Sequence, residues 1–207
     1  MKIELIVTGR IEENCYVAMD EATHEAVIVD PGDDAPRIVA AVTRLGARPL
    51  AIINTHCHFD HVGAVSAIRR QYDIPFYIHP ADRQMLEHAA LSAQGFGLSL
   101  EQPETDRFIR EGETFKLGES KLSVRFTPGH CPGHITLVGD GFAFVGDVLF
   151  AGSVGRTDLP GASWEVLAES IRTQLLTLPD ETRVYPGHGP ETTIGRERRT
   201  NPFLQGI

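Results

Sequence analysis

Cysteine is scarce: Cys15, Cys57 and Cys131 are the three in 207 residues, too few and odd in number for a disulfide framework. Long apolar runs are absent, and none approaches the roughly 18 residues that a bilayer-spanning helix needs. The opening MKIELIVTGR is broken by Glu4 and Arg10 and lacks a secretory hydrophobic segment with a small-residue cleavage site. Together these absences predict a soluble protein of a reducing cytoplasm, with no membrane partner. Basic charge is in deficit, with 19 Lys and Arg against 28 Asp and Glu, a formal −9. Phosphate backbones want a basic face, so nucleic acid is not an expected partner. No repeat, low-complexity tract or Ser/Gly linker interrupts the chain. Gly and Pro instead punctuate short periodic segments, which predicts one domain over 1–207.

What is present reads as an α/β chain. Ile3, Leu5 and Val7 alternate with polar or less buried neighbours, and Ala26 to Val29 and Leu50 to Ile53 are short apolar runs; all three predict strands. Between them, Pro36 opens a helix carrying Ile38, Val39, Val42 and Leu45, and Gly46 closes it. A helix through Val62, Val65 and Ile68 and a strand over Phe76 to Ile78 follow. Asp82 is placed to cap a short helix reaching Ala90, and residues 91–106 lack periodicity and predict a loop over a site. The second half repeats the theme: strands at Leu122 to Phe126, Ile135 to Val138 and Phe142 to Val145, a helix after Ser163, and a last strand at Val184-Tyr185. This order predicts two α/β halves packed sheet to sheet.

The chemistry concentrates in Thr55-His56-Cys57-His58-Phe59-Asp60-His61, directly after an apolar strand. Four metal-competent side chains fall within six residues. His56 and His58, two apart, point the same way from extended backbone. Asp60 and His61 begin the next helix, face differently and can serve a second ion. Imidazole with carboxylate suits Zn²⁺, with Fe and Mn as competitors. Three later segments each set a ligand-type residue in a Gly-bounded loop after a strand: Thr127-Pro128-Gly129-His130, Gly146-Asp147 and Pro186-Gly187-His188-Gly189. They supply the ligands that the first cluster lacks.

These segments, with Val29-Asp30-Pro31-Gly32, Gly155-Arg156-Thr157-Asp158 and Asn201-Pro202-Phe203-Leu204, resemble the metallo-β-lactamase superfamily, and within it the short glyoxalase II-like (hydroxyacylglutathione hydrolase-like) group. The resemblance implies an αββα sandwich of two mixed β-sheets flanked by helices. It implies His56, His58 and His130 on one metal, Asp60, His61 and His188 on the other, and Asp147 bridging both. Asp30 and His134 would stand behind these ligands. Two divalent cations would make hydroxide available near neutral pH, with Asp60 and Asp147 as the catalytic carboxylates that hold it in line. The expected reaction is hydrolysis of a small-molecule acyl thioester such as S-lactoylglutathione, because a thiolate leaves without a protein acid. No Ser-His-Asp or Cys-His nucleophile is expected.

Cys57, next to His56, is expected to point away from the metals, and His24, His79 and His88 to have surface or packing roles. Only 19 residues follow His188, so no C-terminal helical substrate domain is expected. The glutathione-gripping residues of glyoxalase II are therefore not mapped onto this chain, and Arg196, Arg198 and Arg199 read as a solvated helix face. Substrate contacts stay unassigned, and the expected assembly is a monomer or small homo-oligomer. Two alternatives share the site: a persulfide dioxygenase, binding one iron through the positions of His56, His130 and Asp147, and a lactonase using both metals.

Overall fold

In the computed structural model, which describes residues 1–207, the strands form two six-stranded sheets. The first sheet runs in chain order: β1 (Lys2–Thr8), β2 (Glu13–Met19), β3 (Glu25–Val29), β4 (Arg48–Ile53), β5 (Phe76–Ile78) and β6 (Arg107–Phe108). Its first three strands are antiparallel, and β3 to β6 are parallel. The second sheet contains β7 (Thr114–Leu117), β8 (Ser120–Phe126), β9 (Ile135–Gly139) and β10 (Phe142–Gly146). A short ribbon of β11 (Leu149–Phe150) and β12 (Ser153–Val154) intervenes before β13 (Arg183–Pro186) and β14 (Thr192–Thr193) complete it. Its order is β14-β13-β10-β9-β8-β7, with β10 and β13 parallel and every other pair antiparallel.

Period-two alternation decides which side chains meet. In β3, Val27 and Val29 face the second sheet and pack with Ala51, Ile53, Leu122, Leu137 and Phe144, while Ile28 faces the other way. There Ile28 and Ile52 meet Ile38 and Val42 of α1 (Ala35–Leu45) and Ile68 of α3 (Val65–Tyr72), beyond the single turn α2 (Phe59–Val62). On the opposite outer face Ala143, Val145 and Val184 pack against Leu167, Ile171 and Leu175. These come from α6 (Trp164–Ser170) and the wider π turn Ile171–Leu175 that continues it. Strands buried on both faces explain why Ala26 to Val29 and Leu50 to Ile53 read as continuous apolar runs. The layers are helix, sheet, sheet, helix, as expected. No helix is long and apolar enough to cross a membrane.

Local signals act as predicted at several ends. Pro36 lies in the first turn of α1, and Gly46 ends it in the left-handed conformation at φ 63°. The Ser163 side chain accepts from the Val166 amide to open α6. Two expectations are corrected. On β1, Ile6 and Thr8 are buried, whereas Leu5 and Val7 are 47% and 39% exposed. The strand is a sheet edge, and on its inter-sheet face only Ile3 reaches the core. Residues 91–106 are not all loop: after α4 (Arg83–Glu87), α5 (Ala89–Gly95) covers the first part. Its buried stripe is Ala89 and Ala93, too small to leave a hydrophobic period. The last helix, α7 (Ile194–Thr200), follows β14.

Candidate metal centre

The parallel strands deliver every chemical loop to one edge of the sandwich. Asp30 follows β3, His56 and His58 follow β4, His130 follows β8, Asp147 follows β10 and His188 follows β13. The ligand atoms of His56, His58 and His130 lie within 4.8 Å of one another, as do those of Asp60, His61 and His188. Within the first group, His58 Nδ1 is 3.0 Å from His56 Nε2 and 2.9 Å from His130 Nε2. Within the second, Asp60 Oδ2 is 3.2 Å from His188 Nε2. Asp147 stands between them: Oδ1 is 3.6 Å from His61 Nε2, and Oδ2 is 3.6 Å from His130 Nε2 and 3.7 Å from His188 Nε2. All seven residues singled out in the sequence converge.

Both ring nitrogens of His61 and Asp147 Oδ1 are buried with no hydrogen-bond partner. Orphaned buried polar atoms are rare; His61 Nε2 and Asp147 Oδ1 face each other at 3.6 Å, so a cation would satisfy both, while His61 Nδ1 faces the Asp30 carboxylate at 3.2 Å. The donor set of imidazole nitrogens and carboxylate oxygens therefore fits divalent metal ions. A Cβ on Gly187 would sit 2.2 Å from Asp147 Oδ1 and 2.7 Å from His61 Cε1, so only glycine lets the His188 loop approach this closely.

Electrostatics differ between the groups. Burial, reinforced by neighbouring imidazoles, pushes His56 well down and His58 down to about 3; burial also lowers His130. For His61, burial opposes charge, but Asp147, Asp60 and Asp30 outweigh it and raise the imidazole well above its usual value. His188 is raised likewise, its hydrogen bond to Asp60 overcoming desolvation. Burial alone would raise Asp60, yet His61 and His188 hold its carboxyl below the usual range.

Asp30 and His134 lie directly against the two groups. Asp30 accepts from the Thr55 amide at 2.7 Å and the Thr55 hydroxyl at 2.6 Å, and lies 3.2 Å from His61 Nδ1. His134, fully buried, accepts the Asp147 amide at Nε2 and stacks on His56 with centroids 5.0 Å apart. Cys57 and Cys131 are buried, and burial raises both thiols well above their usual pKa, so neither offers a ready thiolate. Arg196, Arg198 and Arg199 lie exposed on α7, the last two paired with Asp180. His24 is on the surface and His79 stacks on Phe126, but His88 lines the cavity above the ligands.

Several supporting residues escaped sequence reasoning. Asp82 makes no helix cap. Its buried carboxylate accepts from the Cys57 amide at 2.9 Å and the Gly133 amide at 2.7 Å, joining the loop of His56 and His58 to that of His130. Gly133 permits this approach, since a Cβ there would lie 2.4 Å from the Asp82 nitrogen. Asn14 donates to the carbonyls of Pro186 and Gly189 at 3.0 and 2.8 Å, and the Tyr16 hydroxyl donates to Pro186 at 2.7 Å. The buried carboxylate of Glu13 takes a hydrogen bond from Thr8 and lies 3.8 Å from His61 Nδ1. None carries a local motif.

A cavity of about 810 Å³ opens above the ligands, with His58, Asp60, His130, Asp147 and His188 in its wall. The chain is similar over nearly its whole length to several known proteins. A Haemophilus influenzae protein named hydroxyacylglutathione hydrolase GloC is 38% identical, the match covering 99% of this chain and 98% of that one. The crystal structure of the B3 metallo-beta-lactamase BLEG-1 superposes with a TM-score of 0.93 at 41% identity, covering 99% of this chain and 100% of the other. That of TTHA1623 in a di-iron-bound form gives 0.90 at 44% identity, covering 97% and 100%. The family model of the metallo-beta-lactamase superfamily matches residues 8–188, and with the seven converging ligand residues this places the chain as a member of that superfamily.

Proposed function

We propose that this metallo-hydrolase cleaves carboxylic thioesters, with S-lactoylglutathione as the reference substrate, on two divalent ions, zinc first among them. The observation that carries the reading is Asp147, which lies 3.6–3.7 Å from ligand atoms of both groups at the floor of an open cavity. The Haemophilus influenzae relative named for hydroxyacylglutathione hydrolysis, matched along both chains, supports the substrate class.

Bound at these two groups, divalent ions supply activated water and a Lewis acid for the acyl oxygen. The chain supplies the rest. His56, His58 and His130, kept neutral by burial, offer lone pairs without having to lose a proton. Asp60 stays ionised because His61 and His188 outweigh its burial, so it accepts a hydrogen bond from the attacking water and aligns it. Asp147 does the same from the other side, its amide anchored on His134. No side-chain nucleophile is needed, and the buried thiols do not compete. Because a thiolate is a weak base, its departure requires no general acid.

The test is the initial rate of S-D-lactoylglutathione hydrolysis by protein loaded separately with zinc, manganese or iron. Metal-dependent turnover at a kcat/KM of about 10⁴ M⁻¹s⁻¹ or more is the expected result. No hydrolysis of any thioester by protein holding two ions would overturn the reading. A negligible rate from protein that retains only one iron would transfer the site to the dioxygenase alternative.

A further inference from the structure

We propose that the preferred acyl group is apolar and longer than lactoyl, an inference that rests on the thioester reading and narrows it. The cavity wall carries the argument. Beyond the ligands it is built from Ile11, Phe59, Met85, Phe96, Phe150 and Leu159. Phe150 stands beside the metal centre, its ring centroid 6.4 Å from that of His188. Further out, the rings of Phe59 and Phe96 pack 4.9 Å apart, and Phe96 is still 67% exposed. Aromatic surface thus extends from Phe59, in the turn that carries Asp60 and His61, to solvent at Phe96.

Charge in the same wall is sparse. Arg156 is the one Lys or Arg that lines the cavity, and both its hydrogen bonds, at 2.9 and 3.0 Å, go to Asp158. Gln84, His88 and Ser92 are the other polar side chains of the wall outside the ligand set. A glutathione moiety brings two carboxylates and an ammonium, and drawing such groups from water without partners is unfavourable. An apolar acyl chain needs no partner and covers aromatic surface that solvent now touches. The reaction balances simply: a C–O bond to water replaces the C–S bond, releasing a carboxylate, a thiol and one proton to solvent.

Two series of compounds test this on the metal-loaded protein. In the first, acetyl, butanoyl, hexanoyl and octanoyl thioesters of one small neutral thiol, N-acetylcysteamine, are compared with S-D-lactoylglutathione. We expect kcat/KM to rise about two- to fourfold per methylene, the factor that burial of a CH₂ provides, and lactoylglutathione to rank with acetyl. In the second, uncleavable analogues with a methylene between carbonyl and sulfur are titrated calorimetrically, and affinity should rise by a similar factor. Phe96→Ser should cut the hexanoyl-to-acetyl ratio about fivefold, near the effect of losing one to two buried methylenes. Leu91→Ser, equally exposed on α5, the helix that Phe96 directly follows, but outside the cavity wall, should leave the ratio alone. Affinity that does not depend on chain length, or a ratio unmoved by Phe96→Ser, would overturn the inference and leave thioester hydrolysis standing. Rising affinity with no turnover of any thioester would overturn the thioester reading instead.

Discussion

The two ligand groups use similar residue types in opposite electrostatic settings. His56, His58 and His130 form an all-imidazole set whose charge is suppressed by burial. Asp60, His61 and His188 mix carboxylate with imidazole, and the Asp147, Asp30 and Glu13 carboxylates also surround His61. The first group is ready for a cation as it stands. The second favours a proton on His61, raised well above its usual value by Asp147, Asp60 and Asp30 against its burial, and a cation must displace it. Their scaffolding differs too. The two loops of the first group are tied by the single carboxylate of Asp82, whereas the His188 loop is held by two side chains of β2. Between these unlike groups stands Asp147, 3.6–3.7 Å from ligand atoms of both, so it is the residue through which one could feel the other.

Removing that residue should have the largest effect. Asp147→Ala should lower turnover by more than the roughly 10- to 100-fold typical of losing a supporting residue, and reduce the bound metal below two per chain. Full activity with two ions per chain would show that the groups act independently. Next is Asp82→Asn, which keeps one oxygen acceptor but turns an NH₂ toward the other donating amide. Metal affinity of the all-imidazole group should fall about 10- to 100-fold while the other group keeps its ion, read as stoichiometry under graded chelator competition. Equal loss from both groups would break the assignment of Asp82 to one half-site.

The pH dependence of metal binding separates the halves more gently. Protons must leave His61 and His188 when a cation binds, and both imidazoles are raised in the metal-free protein. Affinity at the mixed group should therefore climb with pH above neutrality, by up to about tenfold per pH unit for each proton released. The imidazole group binds with its three histidines lowered by burial, His58 to about 3, so its affinity should stay flat above neutrality. Calorimetry in two buffers of different ionisation enthalpy counts the protons directly. Identical release from both groups would remove the contrast.

Much of this was legible in the sequence for a physical reason. A strand that ends in a ligand loop writes its chemistry in adjacent letters, so Thr55 to His61 and the Gly-bounded loops at His130, Asp147 and His188 stood out. The supports did not. Asp82 acts on Cys57 and Gly133, 25 and 51 residues away, and Asn14 and Tyr16 act on Pro186 across 172 and 170 residues. Such contacts exist only once the sheets have paired, and an isolated Asp before a helix reads as a cap. The fold itself failed to show in two ways: α5 buries only alanines and β1 turns Leu5 and Val7 outward at a sheet edge, whereas β2 is buried throughout but mixes Glu13 and Asn14 into its apolar residues and so leaves no strand period.

The redundancy of the His188 tether supplies the smallest effect. The Tyr16 hydroxyl donates to the Pro186 carbonyl at 2.7 Å, but Asn14 Nδ2 donates to that same oxygen at 3.0 Å. Tyr16→Phe therefore leaves the carbonyl with a partner and strands no buried donor. Its cost should be a single net hydrogen bond, about 0.5–1.5 kcal/mol in urea denaturation, with metal stoichiometry unchanged. Asn14→Ala is the harsher member of the pair, because it releases Gly189 as well and leaves its carbonyl unpaired. It should loosen the mixed group and lower its metal affinity, while the Asp82-tied imidazole group keeps its own. Loss of an ion in Tyr16→Phe would mean that the His188 loop, like its counterpart across Asp147, hangs on one contact.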